Sequence, residues 1–142
     1  MELSRHFVAV EAEQFLREEI RLHPPAVPAR RTMVELLAEQ KRYSEQVRQL
    51  NNIRRAEPPH PMTSHSLAQA LFNLKKYEDA STAVQECMRL DPRYAGCALL
   101  WANVLNKLGQ EKQAKEAYEK AMELRSKYPQ PNTMGRPRQT GR

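Results

Sequence analysis

Apolar residues recur along this chain at spacings of three and four, the pattern of helices that bury one face. Near the middle, the pattern runs through Leu67, Leu71 and Leu74, and it resumes after a short polar break at Ala80 and Val84. The break is too short for anything but a turn between two helices. The pattern therefore predicts helices that occur in pairs.

The pairs recur at a fixed interval. The segments QKRYSEQ, LKKYEDA and LGQEKQA begin at residues 40, 74 and 108, thirty-four residues apart, and Pro24, Pro58 and Pro92 keep the same spacing. A proline drives the preceding residue away from helical angles, so each of these prolines marks a helix end. We predict one repeat domain over residues 1–128, made of a helix at 4–22 and two-helix units at about 27–60, 61–94 and 95–128.

These units resemble the tetratricopeptide repeat in period and in residues. The unit 61–94 matches at Leu67, Ala68, Leu71, Tyr77, Ala80, Val84, Cys87 and Pro92, and the unit 95–128 at Trp101, Ala102, Leu105, Gly109, Ala114, Tyr118 and Ala121. The unit 27–60 matches at Met33, Leu37, Tyr43, Leu50 and Pro58, but has Val34 and Gln46 where small residues are usual. The resemblance implies an all-α fold, a right-handed α-solenoid of about three stacked antiparallel helix pairs preceded by a half-repeat helix.

Stacking explains why the repeat needs these residue types. One helix pair cannot cover its own apolar face, so successive pairs share a continuous core. Small residues such as Ala80 and Ala114 let the helix axes approach, and large ones such as Trp101 and Tyr118 are expected to fill the remaining space.

The resemblance also implies a binding surface, because first helices in this family line a concave groove. The residues expected to point into it are Arg31, Glu35, Ala38, Glu39, His65, Gln69, Phe72, Asn73, Leu99, Asn103, Asn106 and Lys107. Their amides could grip the backbone of an extended or helical peptide, with Phe72 and Leu99 as apolar anchors. The alternative is that these polar side chains only keep the helices soluble.

Some relatives bind acidic chaperone tails through a two-carboxylate clamp of Lys, Asn and Arg side chains. Here Arg31 fits the first cationic position, but Glu35 and Ser66 stand where asparagines are required, and Gly96 and Leu100 occupy the last two positions. The sequence therefore argues against a chaperone-tail adaptor.

The net charge of +6 is concentrated at one end. The last eighteen residues contain Arg125, Lys127, Arg136, Arg138 and Arg142 and no acid, so five of the six positive charges lie there. We expect residues 129–142 to be a disordered basic tail. A nucleic-acid-associated role through this tail and the pairs Arg30–Arg31 and Arg54–Arg55 is the alternative to protein binding.

No arrangement of residues points to catalysis, and we predict that the protein is not an enzyme. Four glycines cannot build a phosphate-binding loop, and the histidines and cysteines lack metal-ligand spacing, so no cofactor and no metal is expected. Cys87 and Cys97 form no CxxC pair, and we expect both to be free thiols in a reducing compartment. No apolar stretch is long enough to span a membrane.

The sequence thus favours a non-catalytic interaction module or adaptor. We expect it to hold a peptide or helix of a partner protein in the groove and to support assembly of a complex, in the cytoplasm or the nucleus. The half-repeat helix lacks its pairing helix, so its free face could join a second copy or a larger complex.

Overall fold

A computed structural model describes residues 2–129, with side chains described from residue 5 onward. The described part contains helices and no strands. The helices are α1 (Glu2–Leu22), α2 (Val27–Glu39), α3 (Tyr43–Ala56), α4 (Pro61–Asn73), α5 (Tyr77–Leu90), α6 (Ala95–Lys107) and α7 (Glu111–Lys127). The predicted basic tail lies, apart from Pro129, outside the described residues.

The helices stack in chain order. Each packs against the one before and the one after it, and α4 also packs directly against α6. We call α2, α4 and α6 the first helices, and α1, α3, α5 and α7 the second helices. Contacts between sequence neighbours dominate, as in a solenoid, and the predicted all-α class and solenoid architecture are confirmed.

The turns inside the three pairs share one backbone geometry. Lys41, Lys75 and Gly109 all have positive φ, at 59°, 63° and 84°, and they lie thirty-four residues apart. After α4, the Lys75 N–H donates to the Phe72 carbonyl and the Lys76 N–H to the Leu71 carbonyl, both at 2.9 Å. This left-handed cap satisfies the last carbonyls of the helix and turns the chain back on itself.

The second helices end where the prolines predict. The helices α1, α3 and α5 finish at Leu22, Ala56 and Leu90, each two residues before one of the prolines spaced by thirty-four. Proline also begins the following first helix in one case, since Pro61 is the first residue of α4. A missing N–H costs nothing there, because the first turn has no acceptor for it.

One continuous core joins the pairs from α2 to α6. It contains Val34, Leu50, Ile53, Leu67, Ala68, Leu71, Ala80, Ala83, Val84, Cys87, Cys97, Leu100 and Val104. Ala80 is fully buried, as expected for a close helix approach, and Trp101 packs against the edge of this core while half-buried. The expectation that Tyr118 fills the core is wrong, because Tyr118 of α7 is 50% exposed.

The cysteines are not free thiols as expected. Cys87 of α5 and Cys97 of α6 form a disulfide with their Cα atoms 6.2 Å apart, and both residues are fully buried. The sequence separation of 10 hid the pairing, because the residues meet only when the second helix of one unit packs against the first helix of the next. The bond therefore links two neighbouring helix pairs.

Candidate functional site

The residues expected in the groove all lie on the first helices, but they differ in exposure. Exposed ones are Glu35, Glu39, Gln69, Asn73, Asn103, Asn106 and Lys107, and half-buried ones are Arg31, Ala38, His65, Phe72 and Leu99. The exposed members alternate with buried core residues such as Leu37, Ala70 and Leu105. This arrangement leaves a mainly polar surface, the first-helix face, across α2, α4 and α6.

A cavity of about 170 Å³ lies between α2 and α4 on this surface. Arg31 and Glu35 from α2 meet Met62 and Ser66 from α4 around its mouth, with Val34, Leu50 and Ile53 as an apolar floor. Met62 is 45% exposed although it is apolar. An apolar floor under a charged rim suits a side chain of a peptide better than it suits water.

Arg31 is held in place by the neighbouring pair. Its Nη2 donates to Glu57 in the loop between α3 and α4, and its Nη1 donates to the Thr63 hydroxyl of α4 at 3.3 Å. The guanidinium therefore bridges two helix pairs and is partly neutralised. Sequence reasoning placed Arg31 in the groove but did not find these two partners, which are 26 and 32 residues away.

Two aromatic contacts fix the half-buried members of the set. The His65 ring lies 5.4 Å from the Tyr94 ring, and Phe72 meets Tyr77 edge to face at 5.3 Å. Burial lowers the pKa of His65, opposed by a backbone hydrogen bond with Gly96, and burial together with the Asp91 charge raises the pKa of Tyr94. At neutral pH, His65 is therefore an uncharged and largely structural side chain.

Asn103 and Asn106 lie apart from the cavity between α2 and α4. They line a separate depression of about 290 Å³ with Glu111, Lys115 and Tyr118 of α7. The predicted set is thus divided between two places on the surface. Tyr118 and Lys115 were not predicted as surface partners of these amides, because Tyr118 was assigned to the core.

A cluster of four charges ties α1 to the rest of the stack. Arg42 donates to Glu13 through Nη1 at 2.7 Å and Nη2 at 2.9 Å, and also to Glu45 at 2.7 Å, while Arg17 contacts both carboxylates. Chiefly through its hydrogen bonds from Arg42, the pKa of Glu13 falls to about 2, and the same guanidinium lowers the pKa of Glu45. No pattern in the sequence predicted this cluster, since its members lie on two helices, α1 and α3, and in the turn before α3.

The free face predicted for the half-repeat helix is present on α1. Phe7, Val8, Phe15 and Leu22 are all more than half exposed, at 52–66%. Val8, Phe15 and Leu22 are seven residues apart, so they form one stripe along the helix. On its other side α1 packs Leu16 against Met33 and Leu37 of α2.

The arginines considered for nucleic-acid binding already have partners. Arg30 donates to Gln49 and to the Pro24 carbonyl, and Arg54 pairs with Glu86 at 2.9 Å. Among the residues that the structure describes, Arg55 donates only to the Asn52 side chain. Within residues 2–129, no group of three or more potential metal ligands comes together, and no helix has the length and apolar character needed to cross a bilayer.

The repeat pattern has a counterpart among known families. The family described as "Anaphase-promoting complex, cyclosome, subunit 3" matches residues 39–121, more than half of the chain and all of the region from the end of α2 to the middle of α7. The chain belongs to this family. Because it is a tetratricopeptide-type repeat family, the resemblance drawn from the sequence is confirmed. No curated protein matches the chain significantly.

Solved structures show the same fold at low identity. MamA from Desulfovibrio magneticus RS-1, described as residues 41 to the end, has a TM-score of 0.79 and 20% identity over 90% of this chain and 72% of its own. A MamA double mutant of RS-1 gives 0.78 and 22% over the same shares, and MamA MSR-1 gives 0.77 and 18% over 87% and 71%. These structures support the solenoid and nothing finer.

Proposed function

We propose that the protein is a non-catalytic interaction module that holds a peptide or helix of a partner protein against its first-helix face and supports assembly of a multisubunit complex. The family to which it belongs is named for a subunit of such a complex. Tetratricopeptide-type families are typically interaction modules rather than enzymes. An adaptor or scaffold role follows from this proposal.

The observation that carries the proposal is the cavity between α2 and α4. Its floor of Val34, Leu50 and Ile53 is apolar, and its rim carries a cation, Arg31, and an acid, Glu35. The site offers one pocket for an apolar side chain and charged groups for the flanking backbone or side chains. Gln69 and Asn73 extend the polar surface along α4 with donors and acceptors for a peptide backbone.

The test compares partners captured by the whole chain and by two variants. Glu35→Arg with Gln69→Ala changes the exposed first-helix face, and Glu116→Arg with Gln113→Ala makes the same changes of residue type at exposed positions of α7 as a matched control. We expect the first variant to lose a partner that the wild type and the control retain. Immunoblotting of the captured proteins should detect subunits of the anaphase-promoting complex. Retention of every partner by a first-helix variant with unchanged helicity would disprove the proposal.

We further propose that the exposed stripe of α1 packs against α1 of a second copy. Val8, Phe15 and Leu22 repeat at intervals of seven, the spacing at which helices pair along an apolar seam. Sedimentation analysis of the wild type and of Phe15→Ser tests this: a dimer that the substitution converts to a monomer supports it. A monomeric wild type at all accessible concentrations contradicts it.

We propose a cytoplasmic or nuclear location, which would determine the redox state of the two cysteines. A reducing compartment would keep Cys87 and Cys97 as thiols, whereas an oxidising one would maintain their disulfide. Fluorescence microscopy of the tagged chain, together with alkylation of its thiols at the moment of lysis, tests location and redox state at once.

A further inference from the structure

A second cavity, the junction cavity, lies at the loop that connects α3 to α4. It encloses about 280 Å³ between the end of α3, the loop of residues 57–60 and the start of α4, and Glu86 of α5 closes one side. Several of its lining residues belong to the second helices α3 and α5. The junction cavity shares Ile53 with the cavity between α2 and α4, but its other lining residues take no part in the function proposed above.

Ser64, the fourth residue of α4, lies at this cavity. It is only 2% exposed and lines the junction cavity, and its hydroxyl makes no hydrogen bond with any described residue. No fully enclosed side-chain oxygen of the described part lacks a partner, so this hydroxyl must face the open space of the cavity. A buried hydroxyl without a protein partner is costly unless a ligand or water satisfies it.

His60 adds a second donor. Its Nδ1 accepts the Met62 N–H at 3.1 Å and caps α4, so that nitrogen carries no proton. With Nδ1 as an acceptor, the ring carries its N–H at Nε2, and His60 is among the residues that line the cavity. The first turn of α4, a helix of 13 residues, adds the positive end of its dipole.

Two arginines, Arg54 and Arg55, and two carboxylates, Glu57 and Glu86, line the junction cavity, and Arg31 contacts it from outside the lining through Glu57. Both of its carboxylates already have a cation, because Glu57 pairs with Arg31 and Glu86 pairs with Arg54. Arg55 also lines the cavity, and its only described partner is the neutral Asn52 side chain, at 2.7 Å. One cation without a carboxylate, two neutral donors and a helix N-terminus favour an oxyanion with several acceptor atoms.

The neighbouring junction shows that this chemistry is not a requirement of the fold. Thirty-four residues further on, between α5 and α6, Arg89 stands in place of Arg55, Tyr94 in place of His60 and Ala98 in place of Ser64. Ala98 fills the position of Ser64 with a methyl group and is equally buried. The solenoid therefore packs without a hydroxyl at this place, and Arg89 supplies a matched control for Arg55.

We infer that the junction cavity binds a phosphate group, with Ser64, His60 and Arg55 as the donors. The group could arrive as inorganic phosphate or on a phosphorylated side chain of a peptide, since both present the same oxygen atoms to the site. The volume of about 280 Å³ leaves room for the phosphate and the side chain that carries it.

Titration of the ¹⁵N-labelled full chain with inorganic phosphate, at constant ionic strength set by chloride, tests the inference. We expect saturable shifts of the amide signals of residues 62–64. Ser64→Ala and Arg55→Gln should each weaken binding about tenfold, as expected for loss of a hydrogen bond to a charged group. Arg89→Gln should leave the affinity unchanged.

A second arm uses a short phosphoserine peptide and its unphosphorylated form. Tighter binding of the phosphopeptide, in competition with phosphate, identifies a modified chain as the ligand, and binding of phosphate alone identifies a small anion. Absence of saturable shifts with both probes overturns the inference, as does equal weakening by Arg55→Gln and Arg89→Gln. Should Ser64→Ala fail to fold, the exposed Arg55→Gln still decides the result.

Discussion

Arg42, in the turn before α3, holds the Glu13 carboxylate of α1 with two hydrogen bonds, one to each carboxylate oxygen, at 2.7 and 2.9 Å. The two residues are 29 positions apart, and the Glu13 side chain is only 15% exposed. A two-pronged contact of this kind fixes direction as well as distance. It therefore helps to set the position of α1 on the stack, where α1 packs against α2.

We predict that this contact makes the protein sensitive to acid. The folded-state pKa of Glu13 is about 2 against an ordinary 4.5, so the unfolded chain takes up the proton first as pH falls. The stabilisation is therefore complete above about pH 4.5 and is lost towards pH 2. Glu13→Gln should lower the free energy of unfolding at neutral pH by about 1 kcal/mol and flatten the acid limb.

Urea unfolding at several pH values measures both effects. Glu116→Gln, on the exposed surface of α7, is the matched control and should change neither the midpoint nor the pH profile. A profile for Glu13→Gln that still falls like the wild type below pH 4.5 would show that the pairing with Arg42 contributes nothing.

The disulfide should stabilise the stack by closing a short loop. With Cys87 and Cys97 separated by 10 positions, the model of unfolded-chain entropy gives about 2–3 kcal/mol. We expect a reducing agent to lower the thermal midpoint of the wild type and to have no effect on Cys97→Ala. Equal midpoints of the wild type with and without reductant would contradict the expectation.

The left-handed turns predict a stabilising substitution. Lys75 has φ of 63°, which costs a side-chain-bearing residue about 1–2 kcal/mol, whereas glycine in the unfolded chain costs about 0.5–1 kcal/mol. Lys75→Gly should therefore raise the free energy of unfolding by about 0.5 kcal/mol. The control Lys120→Gly, inside α7, should lower it by about 1 kcal/mol. Chemical denaturation of both variants gives the comparison, and a destabilised Lys75→Gly would refute the argument.

Because α4 and α5 pack closely, we predict that the stability of the protein depends strongly on the size of the side chain at position 80. Ala80 has no exposed surface, and a leucine there would push the helices apart. Ala80→Leu should destabilise the protein by about 1–3 kcal/mol. Ala117→Leu, at a half-buried position of α7, should have a much smaller effect in the same melting experiment. Similar losses in the two variants would mean that Ala80 is not at a tight contact.

The regular part of the fold could be predicted because residues close together in the sequence determine it. Spacings of three and four, prolines at an interval of thirty-four and small residues such as Ala80 determine the helices and their stacking. The wrong assignment of Tyr118 to the core also came from the local repeat pattern. Its repeat equivalent Val84 is buried by the following pair, whereas no helix among the described residues covers α7.

The sequence pattern could not predict the contacts between helix pairs. The disulfide, the bond between Arg31 and Glu57, and the pairing of Arg42 with Glu13 depend on the rotation of one pair against the next. Charged residues on exposed helix faces are common, and nothing in their spacing tells which of them meet. The face carrying Arg31 and Gln69 could be anticipated from the family resemblance, but the separate location of Asn103 could not.

The covalent link between α5 and α6 has a mechanical consequence. Each helix pair in the stack contacts only its neighbours, so small rotations between pairs add up to a large change in the length of the whole stack. The bond between Cys87 and Cys97 adds a covalent cross-link at one such joint, while the earlier joint between α3 and α4 has no cross-link among the described residues. Under tension, elongation will begin in the N-terminal half, and oxidation will stiffen the other half.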